Sequence, residues 1–411
     1  MLYALFYALF EGKPYFYESA LFRAVMAILT AAAILFLLGP RTIRTLIRLK
    51  VGDLPEFDNK TLNELTAGKK NTPTMGGILI LLAIATATLL WADLSNFYIR
   101  MSFVLMVWLA ALGAVDDWLK LTRKRPGASR DGLSSGQKLL FQIAISVLIS
   151  AFLIRHSARV QGLTSVDWTL AYNLIFYKHP VSIESTALSI GLQADFARIL
   201  GSLVFIFTTT VVITGASNAV NLTDGMDGLA AGCMGIVGFV FMMLCFLAGS
   251  VALAGSVLPD PLGPGGFPWA AYLGLPQVVG ADEVAVLCGA IIGACLGFLW
   301  FNCSPAQVFM GDTGSLLLGG LIGYAAVVTR QEPMLFIVGG VFVLEACSVM
   351  LQVGYFKYTK RRYGEGRRVL KMAPLHHHFQ LSGWPEQQVV IRFWLIGLFC
   401  ACLALASVKL R

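Results

Sequence analysis

Between residues 218 and 230 the chain carries two carboxylates (Asp224, Asp227), two carboxamides (Asn218, Asn221) and a hydroxyl (Thr223), flanked on both sides by long apolar runs. Ionisable groups at membrane depth are costly and are kept mainly where they line a pathway or a site. Two more acidic spots share this setting. Asp116-Asp117 closes one apolar run, and Asp312, in Met310-Gly311-Asp312-Thr313-Gly314, precedes another. Three acidic clusters at the ends of apolar runs point to one shared cation site.

Each cluster also has a plainer reading. Adjacent helical residues diverge by about 100°, so Asp116 and Asp117 are not expected to face one direction. One can meet a metal or phosphate while the other orients a lysine or backbone group, or both sit as a helix-end pair neutralised by Lys120. Asp224 and Asp227 would share a face if helical, or one of them caps the next helix. Asp312 is placed to ligate magnesium, which prefers hard oxygen donors, or to serve as a helix cap. Lys69-Lys70-Asn71-Thr72-Pro73-Thr74 opens another run, where Lys69 and Thr74 suit a phosphate or simply anchor a membrane end. His376-His377-His378 invites zinc, but three consecutive side chains rarely converge on one ion. Donation to phosphate oxygens fits that basic loop better. Glu345 lies in mid-run and is expected to be paired within the bundle, with no catalytic role.

The elements that must position these groups follow from composition. The 411 residues are 57% hydrophobic and only 13% charged, with a mean hydropathy of +0.73; a soluble domain is nearer one quarter charged. The chain is therefore expected to be an all-α polytopic membrane protein, because a bilayer admits only helices or closed barrels and these runs are too long and evenly apolar for barrel strands. Runs of roughly 20 apolar residues give about ten transmembrane helices, near 20–40, 75–92, 99–118, 138–155, 199–217, 229–249, 283–301, 314–330, 334–356 and 390–408. The short apolar stretch before Glu11 lacks a basic flank and does not read as a signal peptide.

Basic residues orient the spans. Of the 31 Lys and Arg residues, 20 fall in the segments after the first, third and ninth runs. That puts those segments in the cytoplasm and both termini on the periplasmic side. One integral membrane domain over 1–411 is expected, with cytoplasmic site loops at about 41–74, 116–138, 216–228, 302–313 and 357–388 and periplasmic loops at about 156–198 and 250–282. Every acidic motif then shares the cytoplasmic face with Lys120, Lys124 and Lys138, an arrangement suited to a polyanion beside a divalent metal. A secondary transporter would place its acids nearer span centres. The eight cysteines form no CxxC pair, so neither zinc nor a disulfide framework is indicated. No Walker or dinucleotide loop supports ATP or NAD chemistry.

With these residues in order, the chain resembles the phospho-N-acetylmuramoyl-pentapeptide-transferases. The resemblance runs through 69–77, Asp116-Asp117, 218–230, 309–315 and 373–379 to Gly383-Trp384-Pro385-Glu386. The aspartate motifs alone fit the wider polyprenyl-phosphate sugar-1-phosphate transferases; Pro73-Thr74-Met75-Gly76-Gly77 and the three histidines point to this member. Asn71, Met226 and Gln380 depart from the family pattern. The resemblance implies transfer of phospho-MurNAc-pentapeptide from its UDP carrier to undecaprenyl phosphate, giving lipid I and UMP. It also implies Mg²⁺, a bacterial inner-membrane location, a homodimer and no nucleic-acid partner. By residue, it makes Asp312 the magnesium ligand and Asp116-Asp117 the essential pair. Asn221, Asp224 and Asp227 fall near nucleotide and metal, Phe309 near the uracil, and Lys69 with the histidine loop near diphosphate or sugar. Asn218, Thr74, Lys120, Lys124 and Lys138 complete the expected substrate contacts.

Overall fold

The structure, a computed structural model, describes residues 1–9, 16–49, 69, 72–122, 132–160, 171–172, 181–189, 191, 193–249 and 269–409. The described residues are overwhelmingly helical: α1 (Leu2–Leu9), α2 (Ala20–Arg48), α3 (Gly77–Trp91), α4 (Phe97–Thr122), α5 (Ser135–Val160), α6 (Ile183–Ser189), α7 (Ala194–Thr223), α8 (Leu229–Gly249), α9 (Trp269–Tyr272), α10 (Asp282–Asn302), α11 (Gly311–Val328), α12 (Glu332–Val338), α13 (Gly340–Tyr363), α14 (Leu375–Gln380) and α15 (Glu386–Lys409). One two-residue pairing, Ala171–Tyr172 with Val181–Ser182, is the only strand pair among them. Among the described residues nine helices are long and apolar enough to cross a membrane, and the chain is a multi-pass membrane protein.

Two expected spans come out differently. The second, α3, has 15 residues, about 22 Å of helix against a hydrocarbon core of about 30 Å. It begins only at Gly77 because Pro73, Gly76 and Gly77 spend their backbone groups on Phe309 and Met310, and Met75 before them has a positive φ of 67°. The ninth is broken: α12 and α13 meet at Gly339, whose N–H turns back to Leu335 O and Ile337 O.

The core is built on α10 and α11, which are almost wholly buried. In lipid, close packing takes over the role that water plays in soluble folds, so small residues mark the contacts. A Cβ on Gly293 would meet Ile28 O of α2, and one on Gly319 would fall 2.4 Å from Ala216 O of α7. α7, 30 residues long and so about 45 Å, exceeds the hydrocarbon thickness and carries its last turns to the bundle's end. At that end the C-termini of α4, α7 and α10 meet the N-termini of α3, α5, α8, α11 and α15. The opposite end is pinned by a buried bidentate pair, Arg23 to both Glu283 oxygens at 2.6 and 2.7 Å.

Candidate active site

Helix ends supply the first group. Asp116 lies near the end of α4 and Asp312 in the first turn of α11. Lys120, one turn beyond Asp116, reaches Asp116 Oδ2 at 2.8 Å and Asp312 Oδ1 at 3.0 Å. Lys138, in the first turn of α5, reaches Asp116 Oδ2 at 2.8 Å and Asp312 Oδ2 at 2.6 Å. Two ammonium groups thus bridge the same two carboxylates. Asp116 Oδ1 accepts the Leu133 N–H at 2.7 Å, and Asn221, from α7, donates to Asp312 Oδ1 at 2.9 Å and to Ser315 Oγ.

Asp117 faces another way. Its Oδ1 accepts the Asp312 N–H at 3.0 Å; its Oδ2 accepts the Thr313 N–H at 3.0 Å and the Thr313 hydroxyl at 2.7 Å. It satisfies free donors at the start of α11, where the helix dipole favours negative charge. The expectation that Asp116 and Asp117 diverge holds for their partners but not for their separation. One oxygen each of Asp116, Asp117 and Asp312 lie within 4.8 Å of one another, because α11 butts its N-terminus against α4. A Cβ on Gly113 would lie 2.4 Å from Asp312 O, so the approach depends on that glycine.

The polar turn after α7 splits its two acids. The helix stops at Thr223 with Asp224 at its C-cap, and Gly228 turns the chain with φ +82, a conformation that favours glycine. Asp224 and Asp227 therefore do not share a helical face, and neither caps α8. Asp224 points toward the first group: loss of hydration, then the Asp312 and Asp117 carboxylates, push it up to about 8 against a hydrogen bond from Gly311. Asp227 turns to a second group, where Lys69 Nζ sits 2.6 Å from both Asp227 Oδ1 and Glu386 Oε1. Asp227 Oδ2 accepts the Ala306 N–H, while Glu386 Oε1 also accepts the Asp227 N–H at 2.9 Å.

The segment after Lys69 ties the two groups together. Phe309 N–H donates to Pro73 O, Gly76 N–H to Phe309 O and Gly77 N–H to Met310 O, each at 2.8 Å. This pairing holds the chain out of the helix up to Gly76, so that α3 starts at Gly77. It also sets the N-termini of α3 and α11 side by side, so that a Cβ on Gly77 would collide with Gly314 N. The Phe309 ring lies 6.0 Å from Lys69 Nζ. The Thr74 hydroxyl lies beside Gly311, 3.1 Å from where a Cβ there would stand.

The histidines have three separate surroundings. His376, buried, places Nδ1 3.0 Å from Glu345 Oε2 and its backbone N–H 3.2 Å from Glu345 Oε1. Its Nε2 faces Gly225, where a Cβ would crowd it. His377 contacts Gln380 through Nδ1 at 3.4 Å. Burial, then His376 and Lys69, lower it to about 3, so it is neutral. His378 accepts the Lys371 N–H on Nδ1 at 3.1 Å, which leaves the proton on Nε2. A stack of Phe379 on Trp384 (4.5 Å) holds this short helix against the start of α15.

Most expected residues thus converge: Asp116, Asp117, Asp312, Asn221, Asp224, Lys120 and Lys138 around one group, Lys69, Asp227 and Phe309 around its neighbour. Asn218 does not join them; its amide donates to Gln142 Oε1 at 2.7 Å and to Thr214 O, deeper in the bundle. Lys124 lies outside the described residues. Glu386, as the partner of Lys69, and Gln142, as the residue that holds Asn218 away from the site, lie outside the expected set, and Glu345, expected to be paired in the bundle, anchors His376. A helix-start glutamate and a mid-span glutamine give no local hint of partners this distant in sequence.

The donor set suits a cation. Three buried aspartates offer oxygens alone, the preference of hard divalent ions. Lys120 and Lys138 meet the carboxylates of Asp116 and Asp312, and the Asp117 carboxylate beside them has no ammonium partner among the described residues, a negative excess that a cation would balance. The Asp116, Asp117 and Asp312 group is thus able to hold a metal ion.

The glycosyl transferase family 4 model matches residues 99–330, more than half of the chain, including both aspartate-bearing ends of α4 and α11. The phospho-N-acetylmuramoyl-pentapeptide-transferase signature 1 matches residues 69–81, the segment that pairs with Phe309 and Met310. This chain, with nine helices among the described residues long and apolar enough to cross a membrane, belongs to glycosyl transferase family 4 as a multi-pass phospho-sugar transferase carrying that signature.

Proposed function

We propose that this chain transfers phospho-MurNAc-pentapeptide from UDP-MurNAc-pentapeptide to undecaprenyl phosphate, releasing UMP and leaving lipid I in the bacterial inner membrane. The observation that carries the reading is the backbone pairing of the signature segment with Phe309 and Met310, which joins the Lys69 group to the aspartate group. A soluble polyanionic donor and a lipid-bound acceptor must meet at the membrane surface, where helix ends bring lysines and carboxylates together. With both termini periplasmic, that end of the bundle faces the cytoplasm, and the whole of 1–411 acts as one membrane domain, as a homodimer.

Phosphoryl transfer needs positioning and charge neutralisation more than covalent help. A phosphate monoester has a second pKa of about 6, so the acceptor is mostly dianionic at neutral pH and needs no base. Its oxygen attacks the donor β-phosphorus; the bond from that phosphorus to the bridging oxygen breaks, and UMP leaves with the bridging oxygen. Lys120 and Lys138 receive the acceptor phosphate. Lys69, Thr74, His377 and His378 contact the donor diphosphate and sugar, and Phe309 stacks by the uracil. Asp117 aligns α11 so that Asp312, with Asp116, presents its carboxylate. These aspartates would hold Mg²⁺, which neutralises developing phosphate charge when bound. The test is UMP release by purified protein given UDP-MurNAc-pentapeptide, undecaprenyl phosphate and Mg²⁺. Activity with UDP-GlcNAc instead would replace the specific substrate and keep the reaction class.

A further inference from the structure

We propose that Gln142 is a positioning residue of the aspartate group: it fixes the axial register of α5, α7 and α11, and so holds Lys138 and Asn221 on Asp312. This goes beyond the function proposed above, on which only its kinetic test rests. Gln142, fully buried on α5, donates from Nε2 to Ser217 Oγ of α7 at 3.0 Å. The Ser217 hydroxyl, also fully buried, donates in turn to Leu316 O of α11 at 3.0 Å. Asn218 Nδ2 donates to Gln142 Oε1 at 2.7 Å. Both ends of the Gln142 amide are therefore spent between helices, and the single Ser217 hydroxyl hydrogen joins the third helix to the other two.

The three helices that meet here carry Lys138, Asn221 and Asp312, and the spacing is the same on each. Gln142 lies four residues after Lys138, Ser217 four before Asn221, and Leu316 four after Asp312. At about 1.5 Å per residue, the junction sits about 6 Å below the site on every helix. A slip of any one helix at that level is carried undiminished to its end, where Lys138 meets Asp312 Oδ2 and Asn221 meets Oδ1. Lipid tails are as apolar as the side chains between spans, so burial resists sliding poorly; close approach and polar contacts do more. Gly319 supplies the approach, since a Cβ there would stand 2.7 Å from Ser217 Cα. Gln142 supplies the directional lock. Its loss does not strip its neighbours of every partner, because Asn218 keeps Thr214 O and Ser217 keeps Leu316 O.

The test compares full-length wild-type protein with Gln142→Leu in phosphatidylglycerol nanodiscs. Acetylation of Lys138 by an N-hydroxysuccinimide ester, read by mass spectrometry against the exposed Lys360, should be several-fold faster in the variant, because Lys138 loses its double hold. In the assay, kcat should fall by about 10–100-fold, the scale of a misplacement near 1 Å. KM for the nucleotide donor should stay unchanged, since Lys69 and Asp227 belong to the neighbouring group. In a Lys138→Met background, Gln142→Leu should cost little further kcat. Ser217→Ala breaks the same junction with a smaller change and should reproduce these effects, so it carries the test where Gln142→Leu does not fold. Ser146→Ala removes a buried hydroxyl that donates within α5 to Gln142 O at 2.7 Å, and should leave kcat and Lys138 labelling as in the wild-type protein. Unchanged Lys138 labelling, or losses that simply multiply with Lys138→Met, would make Gln142 a stability element alone and overturn the assignment. Should the wild-type protein not turn over UDP-MurNAc-pentapeptide while Lys138 labelling still responds to Gln142→Leu, the donor assignment fails and the positioning stands.

Discussion

Asp117 holds Asp312 by its backbone: the carboxylate of one accepts the N–H of the other at 3.0 Å, and then that of Thr313. The aspartate pair at the end of α4 therefore divides its work. Asp116 meets the lysines, and Asp117 fixes the helix that presents Asp312. This geometry argues against Asp117 as the base that deprotonates the acceptor. Asp117→Asn keeps the shape but loses the charge at the start of α11, a contribution of about 1–2 kcal/mol. Turnover should fall at pH 6 and pH 9 alike, with a lower Tm. Near-normal turnover restored at pH 9, where the acceptor is fully ionised without help, would show that Asp117 is the base after all.

Asp312 contacts both lysines and Asn221 and shares the aspartate group, so it is the best placed of the three to ligate a metal. Asp312→Asn should weaken Mn²⁺ binding, followed by electron paramagnetic resonance, by at least the about 10–100-fold that loss of an outer partner costs. Unaltered Mn²⁺ affinity would move the metal away from this group.

Lys69, Asp227 and Glu386 form one ionic unit, in which a single glutamate oxygen serves both the Lys69 ammonium and the Asp227 N–H. Glu386 thus orients Lys69 toward the donor. Glu386→Gln should lower kcat/KM for the donor about tenfold, mostly through KM. Lys69→Met should then cost less in that background than alone, with a coupling of about 1 kcal/mol. Strictly additive effects would mean that Glu386 does not position Lys69.

Much of this site can be read from the linear sequence, because membrane spans restrict where charge can lie. Asp116, Asn221 and Asp312 all fall at run ends on the Lys- and Arg-rich side, and the structure brings them within bonding distance. What the sequence hides depends on long-range pairing. Asp224 and Asp227 look equivalent until the end of α7 at Thr223 turns one toward the aspartates and the other toward Lys69. The shortness of α3 follows from hydrogen bonds to Phe309 and Met310, more than 200 residues away, where local apolarity favours a full span. Asn218 sits one turn before Asn221 and looks like its companion. A partner on α5, Gln142, draws it into the bundle instead.

Gly77 and Gly314 mark the contact between two helix N-termini, a contact that no Cβ can enter. Gly77→Ala must push backbone against backbone, and should cost about 1–3 kcal/mol of stability and misplace Asp312. Gly136→Ala, where nothing lies within 4 Å, should be neutral or slightly stabilising. Equal Tm values for the two variants would show that the helix ends can part without strain.

His377 supplies a pH dependence whose sign can be worked out. Burial, with His376 and Lys69 nearby, lowers it from the ordinary 6.5 to about 3. Below pH 6.5 the unfolded chain takes up a proton that the folded protein refuses, so stability is full above that pH and falls as the pH drops toward 3. At pH 5.5 about one pH unit of this shift is expressed, roughly 1.4 kcal/mol. His377→Asn keeps a polar group beside Gln380 but cannot titrate. The loss of Tm between pH 7.5 and 5.5 should therefore be smaller in His377→Asn than in the wild-type protein. Identical slopes would mean that His377 takes up its proton near pH 6.5 in the folded protein as well, so that burial does not hold it neutral below that pH.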